Sequence, residues 1–221
     1  LLSRGRGVAR DYGEAAKWYR LAADQGLPDG QYNLARSFAT GRGVERDLAE
    51  AMKLYKLAAE NGHAVGQLHV ALALRKGKGA KRNYVDAVDW FQRAAAQCNA
   101  DAQYQLATMY RLGQGVAKAS VAEEIKWLKL AAEQDHAEAL QALSVRYADG
   151  RGVKKDPAEA LNSMRRAAAR GHSSAQFNLA QVYAQGGDEV PQDHAKAAEW
   201  YRKAALQGNR KAQYELAQLY R

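Results

Sequence analysis

Cysteine is nearly missing: Cys98 is alone in 221 residues. That forbids an intramolecular disulfide framework and any metal site built from several thiolates. Proline is almost as scarce, with 3 in the chain, so little interrupts helices, and the abundance of Ala, Leu, Lys, Arg, Glu and Gln favours them. No apolar run approaches the roughly 20 residues that a membrane-spanning helix needs. The basic start also lacks the apolar stretch and cleavage site of an export signal. A mean hydropathy of -0.56 beside 47% hydrophobic residues fits a soluble protein rich in small Ala and amphipathic Tyr. The Ala- and Arg-rich composition suggests a bacterial source, with cytoplasm and periplasm both open. Acidic residues are in deficit, 24 against 33 Lys and Arg, and the resulting net charge of +9 favours acidic partners in a general way.

What the chain has instead is a repeat. Gly5, Gly41, Gly77, Gly113, Gly150 and Gly186 recur at intervals of 36, 36, 36, 37 and 36 residues. The pairs Ala22-Ala23, Ala58-Ala59, Ala94-Ala95, Ala131-Ala132, Ala167-Ala168 and Ala204-Ala205 keep the same period to within one residue. Self-similarity at this period outranks a domain count from length, because an array has no single core to divide. The loop-to-loop units are 5–40, 41–76, 77–112, 113–149, 150–185 and 186–221. The last is the least faithful, with Gly186-Gly187-Asp188 in place of Gly-x-Gly.

Each unit encodes two helices. The helix after the loop is predicted to start at Asp11, Asp47, Asn83, Ser120, Asp156 and Asp193, whose side-chain oxygens suit an N-cap. Three residues on stand Glu14, Glu50, Asp86, Glu123 and Glu159, at capping-box spacing, with Lys196 breaking the rule. Ala51, Leu54, Tyr55, Ala58 and Ala59 then form one apolar helical stripe, matched by Ala15, Trp18, Tyr19, Ala22 and Ala23 and by the later copies. Glu124 replaces the first Ala of the fourth copy and Ser163-Met164 the aromatic pair of the fifth, which is therefore expected to pack less tightly. Gly26, Gly62, Gly171 and Gly208 are predicted left-handed helix stops, with Cys98 and Asp135 in that place elsewhere. The short turn that follows forces an antiparallel hairpin with a second helix carrying Gly30, Leu34, Ala35 and Phe38 or their counterparts. Val8, Val44, Val116 and Val153 are read as plugs beneath the glycine loops, and Ala80 as a weaker one.

A small residue followed by Leu, Ala and an aromatic, then Gly-x-Gly-Val, Asp, Ala-x-x-Trp-Tyr-x-x-Ala-Ala and Gly, resembles the Sel-one-like repeat family, a relative of the tetratricopeptide repeats. The resemblance covers nearly the whole chain. It implies an all-α fold, a right-handed superhelical α-solenoid of antiparallel helix pairs, and a role as adaptor or scaffold. The lone Cys98 departs from the cysteine-stapled members of that family.

Sites for chemistry are sparse. Gly-x-Gly follows a helix and lacks the strand, third Gly or Gly-Lys-Ser/Thr end of a phosphate loop. His63, His136 and His172 share one repeat position but lie roughly a helix spacing, about 10 Å, apart, too far to share a metal, and are expected to be exposed loop histidines. Cys98 has no base or orienting group in view. No catalytic, cofactor or metal residue is assigned. The run Arg75, Lys76, Lys78, Lys81 and Arg82 could contact a polyanion, with Arg151, Lys154 and Lys155 as a weaker patch. Nucleic acid is the second reading, disfavoured because the aromatics that would stack on bases are committed to packing.

In a stacked array one helix of each pair lines an inner, concave face. The resemblance assigns this to the helix of Leu34 and its counterparts, whose offset positions are Asn33 and Arg36, His69 and Leu72, Gln105 and Thr108, Ala142 and Val145, Asn178 and Gln181, and Glu215 and Gln218. Leu72, Ala142 and Val145 make the middle of this row apolar, which suggests a peptide or protein segment lying across it, with Tyr32 and Tyr104 near the rim. Leu1 and Leu2 align with Ser37 and Phe38, and the stripe Ala212, Leu216, Ala217 and Tyr220 has no following helix. Both ends are therefore expected either to belong to a longer array or to meet another subunit end to end.

Overall fold

A computed structural model describes residues 9–187 and 190–221. Among them lie twelve α-helices and no strand. In chain order they are α1 (Tyr12–Asp24), α2 (Pro28–Thr40), α3 (Leu48–Glu60), α4 (Ala64–Lys76), α5 (Tyr84–Ala96) and α6 (Ala100–Leu112), then α7 (Val121–Glu133), α8 (Ala137–Asp149), α9 (Pro157–Ala169), α10 (Ser173–Gln185), α11 (His194–Leu206) and α12 (Arg210–Leu219). All but α12 have 13 residues, a length of about 20 Å, so consecutive helices run side by side over their whole extent. Contacts divide the chain into two units, one ending at Ala119 and one beginning at Ser120. Within the first unit each helix from α1 to α6 packs on the next, and within the second each from α7 to α12 does so.

All six predicted caps hold. Asp11 Oδ1 accepts the Glu14 N–H at 2.9 Å, Asp47 Oδ1 accepts from both Ala49 and Glu50 at 2.9 Å, and Asn83, Ser120, Asp156 and Asp193 do the same for their helices. The acid three residues on serves another purpose than a reciprocal box. Glu14, Glu50 and Glu123 pair with Lys17, Lys53 and Lys126 at 3.1–3.2 Å. Lys196, the exception, returns its ammonium to the cap carboxylate of Asp193 at 3.0 Å. The hydrogen bonds within that pair hold the Asp193 carboxyl low and push Lys196 up.

The stops also hold, and the two non-glycine substitutes adopt the same backbone: φ is +58° at Cys98 and +57° at Asp135, against +80° at Gly26 and +89° at Gly62. The loop glycines Gly41, Gly77, Gly113 and Gly150 are left-handed caps of the second helices. Gly186, in the least faithful copy of the loop, shares the positive φ but not the ψ. Loop amides turn back onto the helix they follow: Arg42 donates to Ser37, and the N–H of each cap residue Asp47, Asn83 and Asp156 reaches Phe38, Leu74 and Tyr147. A loop whose amides are occupied in this way is a helix stop and not a phosphate cradle.

Close approach of the helices rests on the small residues. A Cβ on Gly30 would lie 2.7 Å from that of Ala22 and 2.9 Å from backbone atoms, so α1 and α2 meet there at backbone distance. The stripe is buried at most of its Ala positions and, in four copies, at the second ring position, Tyr55, Phe91, Leu128 or Tyr201. The first ring is less committed than the pattern implied. Trp18 is 58% exposed, and Trp90 and Trp200 lie at the stripe's edge beneath Arg93 and Lys203. Val44, Val116 and Val153 are half-buried under their loops, Val190 is buried in the last loop, and Val8 lies outside the described residues, as do Gly5, Leu1, Leu2 and Asp188.

Candidate functional site

The histidines expected to be exposed are caps. His63, His136 and His172 each begin a second helix, and each Nδ1 accepts a backbone N–H, from Gly66 at 2.9 Å, Ala139 at 3.3 Å and Ala175 at 3.2 Å. Asn99 and Asn209 fill the same role by side-chain oxygen. An imidazole accepts in this way through an Nδ1 that carries no hydrogen. The signal was present in the sequence: Asn and His alternate at one repeat position, and both offer an acceptor at the same reach. Among the described residues no cluster of His, Cys, Asp and Glu could hold a metal.

A second feature is legible only in three dimensions. Gln31, Gln67, Gln103 and Gln176 are buried, and each donates through Nε2 to the carbonyl of the second Ala of the pair eight residues back: Ala23, Ala59, Ala95 and Ala168, at 3.1–3.5 Å. Their carbonyls accept from the residue at the C-cap of the next first helix, Asn61 to Gln31 at 3.0 Å, Gln97 to Gln67 at 2.8 Å and Gln207 to Gln176 at 2.8 Å. A buried amide needs both ends satisfied, so this ladder sets the register between successive hairpins. Leu140 interrupts it in the fourth repeat. There the Ala132 carbonyl is met by Arg166 Nη2 at 2.7 Å, and the same guanidinium holds Asp135, the residue at the left-handed stop. Arg170 and then Arg166 keep the Asp135 carboxyl below its ordinary range.

Glu124, at a position that is Ala in most copies, is 3% exposed and receives Arg146 Nη2 at 2.7 and 2.8 Å. Met164, which stands in place of a ring, lines an apolar cleft of about 480 Å³ with Ala160, Val182 and Val190, and Lys155 is on its wall.

In the first unit, the side chains assigned to the inner face meet across repeats. Tyr32 on α2 is stacked on His63 at 4.4 Å between centroids, and its hydroxyl lies 3.4 Å from His69 Nε2 on α4. His69 in turn stacks on Tyr55 at 4.7 Å with the planes 5° apart. His69 is therefore a half-buried member of an aromatic group rather than a free surface residue. Burial, then His63 and Arg36, hold its imidazole below the ordinary value. Burial and Tyr32 push the Tyr55 phenol up to about 12, with the positive Arg36 working against them. One helix on, Arg75 Nη1 donates to the side-chain carbonyl of Gln105 on α6, so one of the five cations of the basic run is bound to the face itself. Lys76, Lys78, Lys81 and Arg82 stay exposed in or beside the loop. Asn33 donates to the Asp29 carbonyl and Thr108 to that of Tyr104, while Leu72 is half-buried. In the second unit Val145 is 47% exposed, and Asn178 and Gln181 are half-buried on α10.

Uniform antiparallel helix pairs, repeated with the same caps, stops and inter-hairpin amides, define a helical-repeat protein. The chain belongs to the Sel1 repeat family, whose model matches residues 1–27, 28–63, 64–97, 100–136, 137–172 and 173–209. Sel1 repeat proteins generally mediate protein–protein interaction and are generally non-catalytic scaffolds. A protective antigen of uropathogenic Escherichia coli with an SLR fold is 38% identical at a TM-score of 0.84, covering 99% of this chain and 46% of that one. The chain thus spans about half the length of that antigen. A Sel1 repeat protein from Oxalobacter formigenes is 34% identical at a TM-score of 0.87, covering 93% and 83% of the two chains. An immunity protein of Pseudomonas aeruginosa, at 23% identity and a TM-score of 0.51 over 97% and 77%, shares the fold. A search of curated proteins gives no match. No helix among the described residues is long and apolar enough to cross a membrane.

Proposed function

We propose that the chain is a non-catalytic module that holds a peptide or protein segment on the faces of its second helices. In the first unit the holding residues are Asn33, Arg36, His69, Leu72, Gln105 and Thr108, and in the second Val145, Asn178 and Gln181. The observation that carries this reading is the direct linkage of α2 to α4 through Tyr32 and His69, and of α4 to α6 through Arg75 and Gln105. Side chains from three hairpins thereby form one continuous, pre-arranged surface, and a rigid surface loses less entropy on binding. The groups that could have served chemistry have architectural work instead: three histidines cap helices, Asp135 anchors two arginines, and Glu124 holds Arg146. Photo-crosslinking from benzoylphenylalanine at Leu72 and Thr108, with Lys56 on α3 as control, tests the face. Adducts to one protein from the first two positions and none from the third are expected. Equal labelling from all three would remove the proposal.

A further inference from the structure

The basic character of the chain is unevenly placed. Up to Ala119 there are 18 Lys and Arg against 11 Asp and Glu, a net of +7, whereas from Ser120 there are 15 against 13, a net of +2. Within the first unit, most acids close to the basic groups already have work: Asp11 and Asp47 cap helices, Glu14 and Glu50 hold lysines, and Asp29 lies 3.2 Å from His63 Nε2. Two of the guanidiniums without an acid partner share one hollow. Arg36 is exposed on α2, one turn from Tyr32, and its charge bears on His69 and Tyr55, both uncharged at neutral pH. Arg42, in the loop after α2, lies over the Tyr12 ring, 5.7 Å from its centroid. Neither makes an ion pair among the described residues. They line one small polar hollow of about 50 Å³ with Tyr12, Asn33 and Thr40.

The hollow is small and polar, the scale of a single oxyanion group. Two guanidiniums lining such a space suit planar, bidentate recognition of an oxyanion. We propose that Arg36 and Arg42 seat a carboxylate of an acidic segment in the protein partner. The rest of that segment follows the face past His69 toward Gln105, which gives the partner a chemistry and rests on the reading of the second-helix face given above. Attraction over a unit of this net charge would speed encounter as well as hold the complex.

The test uses fluorescence anisotropy at pH 7.5 with labelled hexaglutamate, hexaglutamine and a doubly phosphorylated serine hexapeptide, on the whole 221-residue chain. It compares the parent with R36Q/R42Q and with K78Q/K81Q, which removes the same charge from the exposed loop. Circular dichroism and melting confirm that each variant folds, and R36K/R42K keeps the charge without the fork. Hexaglutamate should bind, and hexaglutamine should not. R36Q/R42Q should weaken binding at least tenfold, R36K/R42K by several fold, and K78Q/K81Q by less than threefold. Equal losses in the two Gln double variants would show diffuse attraction and overturn the proposal. So would binding of the phosphopeptide alone, which assigns phosphate, or an oligothymidylate strand that binds more tightly and depends on Lys78 and Lys81. The face reading fails separately. A crosslinked partner that ignores R36Q/R42Q but weakens with Leu72→Ser keeps the face and removes the anchor. Hexaglutamate binding that depends on Arg36 and Arg42, with no crosslink from Leu72 or Thr108, keeps the anchor and removes the face.

Discussion

The first unit repeats its solution three times with little change, while the second keeps it at Gln176 and replaces it around Leu140. Up to Ala119, buried Gln residues satisfy the Ala carbonyls, and Asn61 and Gln97 close the link to the next hairpin. Beyond Ser120, Leu140 removes one glutamine and Arg166 reaches in from the following hairpin to satisfy Ala132. A buried Glu124 displaces an alanine and brings Arg146 with it, and Met164 stands in for a ring beside an apolar cleft. The period tolerates changes of residue where each buried polar group still finds a partner, because the cost of an unmet one exceeds the gain from any single bond.

The contrast can be broken most severely at Arg146. Arg146→Met takes the guanidinium from a carboxylate at 3% exposure and should cost about 3–5 kcal/mol, whereas adding Glu124→Ala should recover most of the loss or exceed the parent. Thermal and urea melts read both. In the first unit Gly30→Ala forces α1 from α2 and should cost about 1–3 kcal/mol as an overpacked contact. Gln67→Leu imitates Leu140 without supplying an arginine, removes the side-chain bridge from the Ala59 carbonyl to the Gln97 amide, and should cost about 1 kcal/mol. The smallest effect is acid sensitivity. Burial lowers the His172 value in the folded chain, so the unfolded chain binds protons more readily, and its stability contribution is full above about pH 6.5. It is lost as pH falls from there through the folded value. His172→Asn keeps an N-cap acceptor and should flatten that part of the pH–stability curve. An unchanged curve would show that the cap does not titrate.

Much of the fold was legible because caps, left-handed stops and small residues impose local rules that one repeat copy reveals by comparison with the others. Asp11 and its five counterparts, and Asp135 at φ +57°, follow from backbone geometry alone. What escaped was long-range. A glutamine such as Gln67 looks polar and exposed on one strand of sequence, and only helix packing shows its amide facing the Ala59 carbonyl. His63 and its counterparts were misjudged because a ring was weighed as a metal or solvent group and not as a cap acceptor. For the inner face, the spacing located Arg36 and His69 but could not reveal that His69 is clasped by Tyr32 and Tyr55, or that Arg75 folds onto Gln105.

A double-mutant cycle tests most directly whether the two units meet one requirement by different means. Arg166→Ala should destabilise the chain by about 1–3 kcal/mol, and Leu140→Gln, which restores the ladder residue beside Ala132, should return most of that loss in the double variant. Strict additivity of the two changes, with no rescue, would contradict the claim that register between hairpins depends on a side-chain hydrogen bond to that one carbonyl, beside the one it accepts from the Asp135 N–H.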